Sequence, residues 1–235
     1  MTTRQKKARH SSRGGISATQ ILIVIGAAVL AVALLVALNF DRLQPATANK
    51  LKYPVGVTAD GQPYKGSPDA PIKIVEYADF ACGHCADFSN SLNNLAPAYI
   101  ETGKVQVVFR NFAFLTPESK SAAQAVECAL DQGADKFWEY NDLLFSMQGR
   151  GGAAFSNTSL KAYAVQLGLD TTAFDKCLDL GAKTAHIQAD YDEGVSRGVT
   201  ATPTWFINGE IMPGALPENE LRQVFDLALS KGSGQ

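Results

Sequence analysis

Residues 21–38 form an uninterrupted apolar run, ILIVIGAAVLAVALLVAL. As an α-helix, these 18 residues rise roughly 27 Å, close to the hydrocarbon thickness of a bilayer. The run has no polar face, which argues against a helix packed inside a soluble core. Arg4, Lys6, Lys7, Arg9 and Arg13 precede it, and no acid occurs before Asp41. The positive-inside bias places such an N-terminus in the cytoplasm and the remaining chain outside. The expectation is a cytoplasmic basic tail over 1–20, one transmembrane anchor over 21–38 and a linker over 39–62. The alternative is a secretory signal cut after Ala48, where Ala46 and Ala48 make a weak A-x-A pattern. Signal cores are usually shorter, about 7–15 residues. Both readings export the rest of the chain.

That remainder is long enough for one domain with a sizeable core. The chain carries 21 Lys and Arg, and five of them lie before the apolar run. The exported part therefore holds 16 basic residues against 23 acids, a net of −7. It has no basic stripe, so nucleic acid is excluded as an expected partner. No nucleotide, haem or flavin signature appears, and no cofactor is expected. Four cysteines, an even number in an exported domain, are compatible with disulfide chemistry.

The pattern along this domain alternates between periods. PIKIVEYADF ends at Phe80 and reads as a strand, with Ile72, Ile74, Val75 and Tyr77 in a β-rich run. From Cys82 the period turns helical, with Phe88, Leu92, Leu95 and Ala98 on one face. Lys104–Phe112 reads as a second strand. Thr116-Pro117 resembles a helix cap followed by a first-turn proline, and helical patterns then recur to about residue 195. Thr202–Gly209 returns to strand. Asn208-Gly209 signals a hairpin into Glu210–Pro213, and Leu221, Val224, Phe225 and Ala228 mark a closing helix. The 40–70 stretch, with Pro45, Pro54 and Pro63, reads as a tether and an extended lead-in. The order predicts an α/β domain over 63–232 with a helical insertion at about 116–195.

The chemistry concentrates in FACGHCADF, residues 80–88. Cys82 falls where the strand ends and the helix begins. Unpaired N–H groups and the helix dipole there favour a thiolate. Protonated His84 adds positive charge, and Gly83 permits a tight turn. Three residues on, Cys85 returns to the same side of the helix, within reach of a disulfide. The expected roles are an exposed attacking sulfur on Cys82 and a buried resolving sulfur on Cys85. A zinc knuckle would need a second ligand pair. Cys128 and Cys177 are far apart in sequence, and His10 and His186 are the only other histidines, so no metal is expected. A static structural disulfide remains open as the bland reading.

FACGHC after a strand, with Thr202-Pro203-Thr204 before a late strand and hairpin, resembles the thioredoxin fold. The helical block between the two strand groups resembles the DsbA family of exported thiol–disulfide oxidoreductases, over roughly residues 60–232. The resemblance implies a cis peptide bond at Pro203, with Thr202 presenting its backbone to an extended substrate. By itself that proline reads as a trans residue opening an edge strand. The resemblance also implies that Glu76 is a buried acid below the disulfide, relaying the proton of Cys85. A strand acid exposed to solvent is the simpler reading, although Ile74 shares its side of the strand. The family further implies a monomer whose substrates are reduced, newly exported proteins. Its reoxidant is a membrane partner like DsbB or a vitamin-K-epoxide-reductase homologue. The Gly-His dipeptide departs from the Pro-His of the best-known DsbA and matches protein disulfide isomerases. A reductase or isomerase on the same fold is thus the enzyme alternative, and a chaperone-like module with a static CxxC the non-enzymatic one.

Cys128 and Cys177 lie in two different helical patterns. In an oxidising compartment they are expected to pair as a structural disulfide. Two separate buried thiols or a second redox centre are the alternatives. Phe137, Trp138 and Tyr140, at helical spacing, are expected in the core.

Overall fold

The strand that carries the site is β3, Ile72–Ala78. In the computed structural model, Gly26 and residues 51–232 are described, and all but Gly26 fall within one unit, Ala46–Gln235. The expected anchor, 21–38, lies outside the described residues apart from Gly26. Among the described residues no helix is long and apolar enough to cross a membrane.

Beside β3 stand β1 (Val55–Val57), β2 (Pro63–Lys65), β4 (Val105–Asn111), β5 (Thr204–Ile207) and β6 (Glu210–Pro213). They form one sheet in the order β1-β2-β4-β3-β5-β6. Only the β3–β4 pair is parallel, Ile74 opposite Val107 and Glu76 opposite Phe109. Its crossover is helix α1, Gly83–Tyr99, as a parallel pair requires. β3 lies inside the sheet, and its Ile72, Ile74, Glu76, Tyr77 and Ala78 are all buried. Glu76 is carried inward because it shares the face of Ile72 and Ile74.

β1 and β2 are strands within the stretch read as tether and lead-in. They are three residues each, too short for a periodic signal, and they exist by pairing with each other and with β4. At Gly66, φ is +98° and a β-carbon would run into the Val105 carbonyl oxygen. Only glycine fits the turn leading from β2.

The insertion comprises α2 (Pro117–Leu130), α3 (Ala134–Ser146), a 3₁₀ turn (Gly152–Phe155), α4 (Asn157–Gln166), α5 (Thr171–Asp179) and α6 (Thr184–Ser196). Thr116 caps α2 as its spacing predicts. Its hydroxyl accepts the Ser119 N–H at 3.2 Å, and Ser119 answers with a bond from the Thr116 N–H. Cys128 on α2 and Cys177 on α5 form a disulfide, with Cα atoms 5.8 Å apart. Phe137, Trp138 and Tyr140 are buried. Phe137 and Trp138 pack edge-on against Phe109 of β4, which joins the insertion to the sheet in one core. Asn208 and Gly209 both take positive φ at the β5–β6 hairpin, the backbone its two-residue turn needs. Helix α7, Glu218–Gly232, closes the chain.

Candidate redox site at the start of α1

Cys82 is the N-cap of α1, with extended backbone at φ −85° and ψ 115°. That geometry leaves the unpaired N–H groups of the first turn around its sulfur. Cys82 is half-buried and Cys85 is fully buried; both are free thiols. The Thr202–Pro203 bond is cis. It brings the Thr202 carbonyl against Cys82, whose thiol donates to it at 3.2 Å across 120 residues of sequence. The Thr202 hydroxyl is buried and has no other partner, and it helps to favour the thiolate.

These contacts separate the two sulfurs chemically. The Cys82 thiol is lowered to about 5, first by the hydrogen bond from Cys85. Burial opposes this, and Thr202 and the N–H groups of Cys85 and His84 add to the lowering. Burial pushes the Cys85 thiol far above its ordinary value, and its bond to Cys82 pushes it further. One sulfur is thus a ready thiolate, the other a reluctant one.

His84 follows Gly83 in the first turn of α1. Its ring is largely exposed, and Nδ1 lies 3.6 Å from Asp87, so the carboxylate offsets the charge of a protonated ring. Its help to Cys82 comes from the backbone. Glu76 is buried, and one carboxyl oxygen has no partner. Burial raises it to about 7, against the attraction of Lys65 and with the repulsion of Asp142. Its charge in turn raises Cys85, which places the acid within electrostatic reach of the resolving sulfur.

Sequence reasoning missed what surrounds this pair. Lys65 of β2 is buried near Glu76; its ammonium donates to Asn93 at 2.9 Å and sits 4.5 Å from the Trp138 ring centre. Asn93 in turn donates to Asp142 at 3.0 Å. Asp79, also buried, accepts the N–H groups of Ala81, Phe114 and Leu115. It ties the redox turn to the segment after β4. Gln148 reaches the same turn from the insertion. A lysine in a three-residue strand carries no local mark of burial. Asp79, three residues before Cys82, was the one legible candidate among these.

The described residues bring one group of possible metal ligands together, Glu127, His186 and Asp190, with ligand atoms within 4.8 Å of one another. Their oxygens are already engaged. Asp190 accepts from Gln62, Arg110 and the Asn111 N–H, and Glu127 accepts from the Asn111 amide.

Residues 58–226 match the family model described as Thioredoxin. The chain belongs to the thioredoxin family. Its similar proteins include the probable disulfide bond formation protein D of Bacillus anthracis, 30% identical over 171 residues that cover 71% of this chain and 77% of that protein. The crystal structure of oxidised BdbD from Bacillus subtilis superimposes with a TM-score of 0.67 at 25% identity, covering 76% of this chain and 98% of that one. These neighbours place the chain with the DsbA-type oxidoreductases of the family. A Na⁺/H⁺ antiporter NhaA of Herminiimonas arsenicoxydans is 32% identical over 162 residues, 69% of this chain and 25% of the antiporter. The chain therefore spans about a quarter of the length of the antiporters it matches.

Proposed function

We propose that this chain is an exported, membrane-tethered thiol–disulfide oxidoreductase that donates the Cys82–Cys85 disulfide to reduced, newly exported proteins. The observation that carries the reading is the split between an acidic, accessible Cys82 and a buried, weakly acidic Cys85 beside a cis Thr202–Pro203 bond. In the oxidised enzyme a substrate thiolate attacks Sγ of Cys82. The substrate–Cys82 bond forms, the Cys82–Cys85 bond breaks, and its electron pair leaves on Cys85. A second substrate thiolate attacks the substrate sulfur of this mixed disulfide. The substrate disulfide forms and Cys82 leaves as a thiolate. Two electrons have then passed from substrate to enzyme, and a membrane partner like DsbB or a vitamin-K-epoxide-reductase homologue removes them. A low thiol pKa makes Cys82 a good leaving group and stabilises the dithiol, so the disulfide is a strong oxidant.

The test is the reduction potential of the Cys82–Cys85 pair in the full-length chain, equilibrated against glutathione. A disulfide donor falls between about −120 and −180 mV. A value near the roughly −270 mV of thioredoxin makes the protein a reductase and overturns the donor reading.

Glu76 supplies the proton in this scheme. Cys85 is so poorly acidic that it leaves well only as a thiol, and a buried carboxyl raised to about 7 still holds a proton at neutral pH. Glu76→Gln removes that titration. The expected result is a several-fold slower attack on the oxidised enzyme at pH 6–7, and loss of the limb near pH 7 from the pH–rate profile. An unchanged profile removes Glu76 from the mechanism.

A further inference from the structure

We propose that Gln148 is a positioning residue for the redox turn, a clamp from the helical insertion that holds the Cys82 peptide where the first turn of α1 meets its sulfur. The proposal rests on Cys82 being the reactive sulfur of the oxidoreductase reading. Gln148 lies just beyond α3, and its side-chain amide donates to the carbonyl of Cys82 at 2.8 Å and to the carbonyl of Phe80. An amide NH₂ has two N–H donors, and here both serve the turn between β3 and α1, with only Ala81 between the two acceptors. The contact spans 66 residues of sequence.

The Cys82 carbonyl is the first hydrogen-bond acceptor of α1, taking the N–H groups of Cys85 at 3.0 Å and Ala86 at 3.3 Å. Rotation of this peptide plane moves Gly83 and with it the N–H groups of His84 and Cys85 relative to the Cys82 sulfur. Those N–H groups are among the donors to the thiolate. A third donor on the carbonyl, delivered from another element, fixes the plane that the α1 bonds alone leave at a fraying helix end.

The position of Gln148 also joins this clamp to the surface. Gly149 and Gly151 follow it with φ of +79° and +75°, and a β-carbon at either would meet nothing within 4 Å. Those glycines answer to backbone shape, not to crowding. Gln148, Gly149 and Gly151 line a cavity of about 450 Å³ together with Ala81, Gly83 and Phe155. The clamp therefore lies in the wall of a cavity beside the redox turn.

The experiment is a thiolate titration of the reduced full-length chain, by absorbance near 240 nm and by the rate of iodoacetamide alkylation, in Gln148→Ala, Gln148→Glu and Gln148→Lys. Loss of the clamp in Gln148→Ala is expected to weaken Cys82 acidity about tenfold, the worth of one hydrogen bond. Alkylation at pH 5 then slows about fivefold. Gln148→Glu keeps the length, removes both donors and sets a carboxylate against two carbonyl oxygens, so its midpoint rises at least as far. Gln148→Lys restores N–H donors and returns the midpoint to the wild-type value or below. A merely structural glutamine would change thermal stability and leave all three midpoints at the wild-type value, and that result overturns the proposal. An ordinary, weakly acidic Cys82 in the unmodified chain would instead undo the disulfide-donor reading, so the two failures are distinguishable.

Discussion

Replacing Cys82 with serine is expected to lower the oxidation of a reduced substrate protein by at least about 10³-fold, to the background of uncatalysed exchange. An alkoxide oxygen cannot form the disulfide that stores the two electrons, and no other cysteine is both exposed and acidic. Cys128 and Cys177 are joined, and Cys85 is buried and held far from ionisation. Cys85→Ser is expected to behave differently. It has no disulfide to donate, but it keeps a reactive Cys82 thiol that exchanges into proteins already carrying a disulfide and stays there as a mixed disulfide until another thiol displaces it. Retained cellular function in Cys82→Ser would identify a binding module instead. The same sulfur sets a pH dependence. Folding lowers the Cys82 thiol to about 5, against 9.0 for an ordinary thiol. At this thiol the folded, reduced chain thus binds fewer protons than the unfolded one between those limits. The stability that this thiol adds is complete above about 9 and is lost as the pH falls through about 5. Alkylation of Cys82 should already be near its plateau at pH 7, and its half-maximum should fall near pH 5. A rate still climbing through pH 8 would contradict the acidic thiol.

Removing the Cys128–Cys177 bridge by the double substitution Cys128→Ala/Cys177→Ala is expected to cost about 2–4 kcal/mol of stability. The chain-entropy model gives about 4 kcal/mol for a loop of this length, less whatever structure the reduced, unfolded chain retains. The bridge spans 49 residues and links α2 to α5. Urea unfolding should show a midpoint lower by roughly 1–2 M. Turnover per folded molecule should be unchanged, because neither sulfur touches the redox turn. Two titratable thiols in an oxidised Cys82→Ser/Cys85→Ser chain would show that the bridge does not form in solution.

Local chemistry is legible along this chain, and the legible parts share one property. The strand ending near Phe80, the helix beginning at Cys82, the Thr116-Pro117 cap and the Asn208-Gly209 hairpin each depend on neighbours within about four residues. So does the spacing of Cys82 and Cys85, which one helical turn brings to the same side. A sequence read in order can therefore place the two sulfurs, their order of reactivity and the α/β class. Glu76 could be placed on the inward face from its two-residue offset to Ile74.

What surrounds those sulfurs was decided by tertiary structure alone. The ammonium of Lys65 beneath Glu76 depends on β2 pairing with β4, and β2 is three residues long. The Thr202 carbonyl reaches Cys82 across 120 residues and the Gln148 amide across 66. No local period encodes such a meeting, because it exists only once the sheet and the insertion close around the turn. The His84 ring, by contrast, meets a neighbour within one helical turn, Asp87. Position along the chain thus determined which atoms react, and packing determined how acidic each becomes. Short-range geometry follows from backbone bonding, whereas a pKa follows from every dipole and every shielded surface that folding gathers around the sulfur.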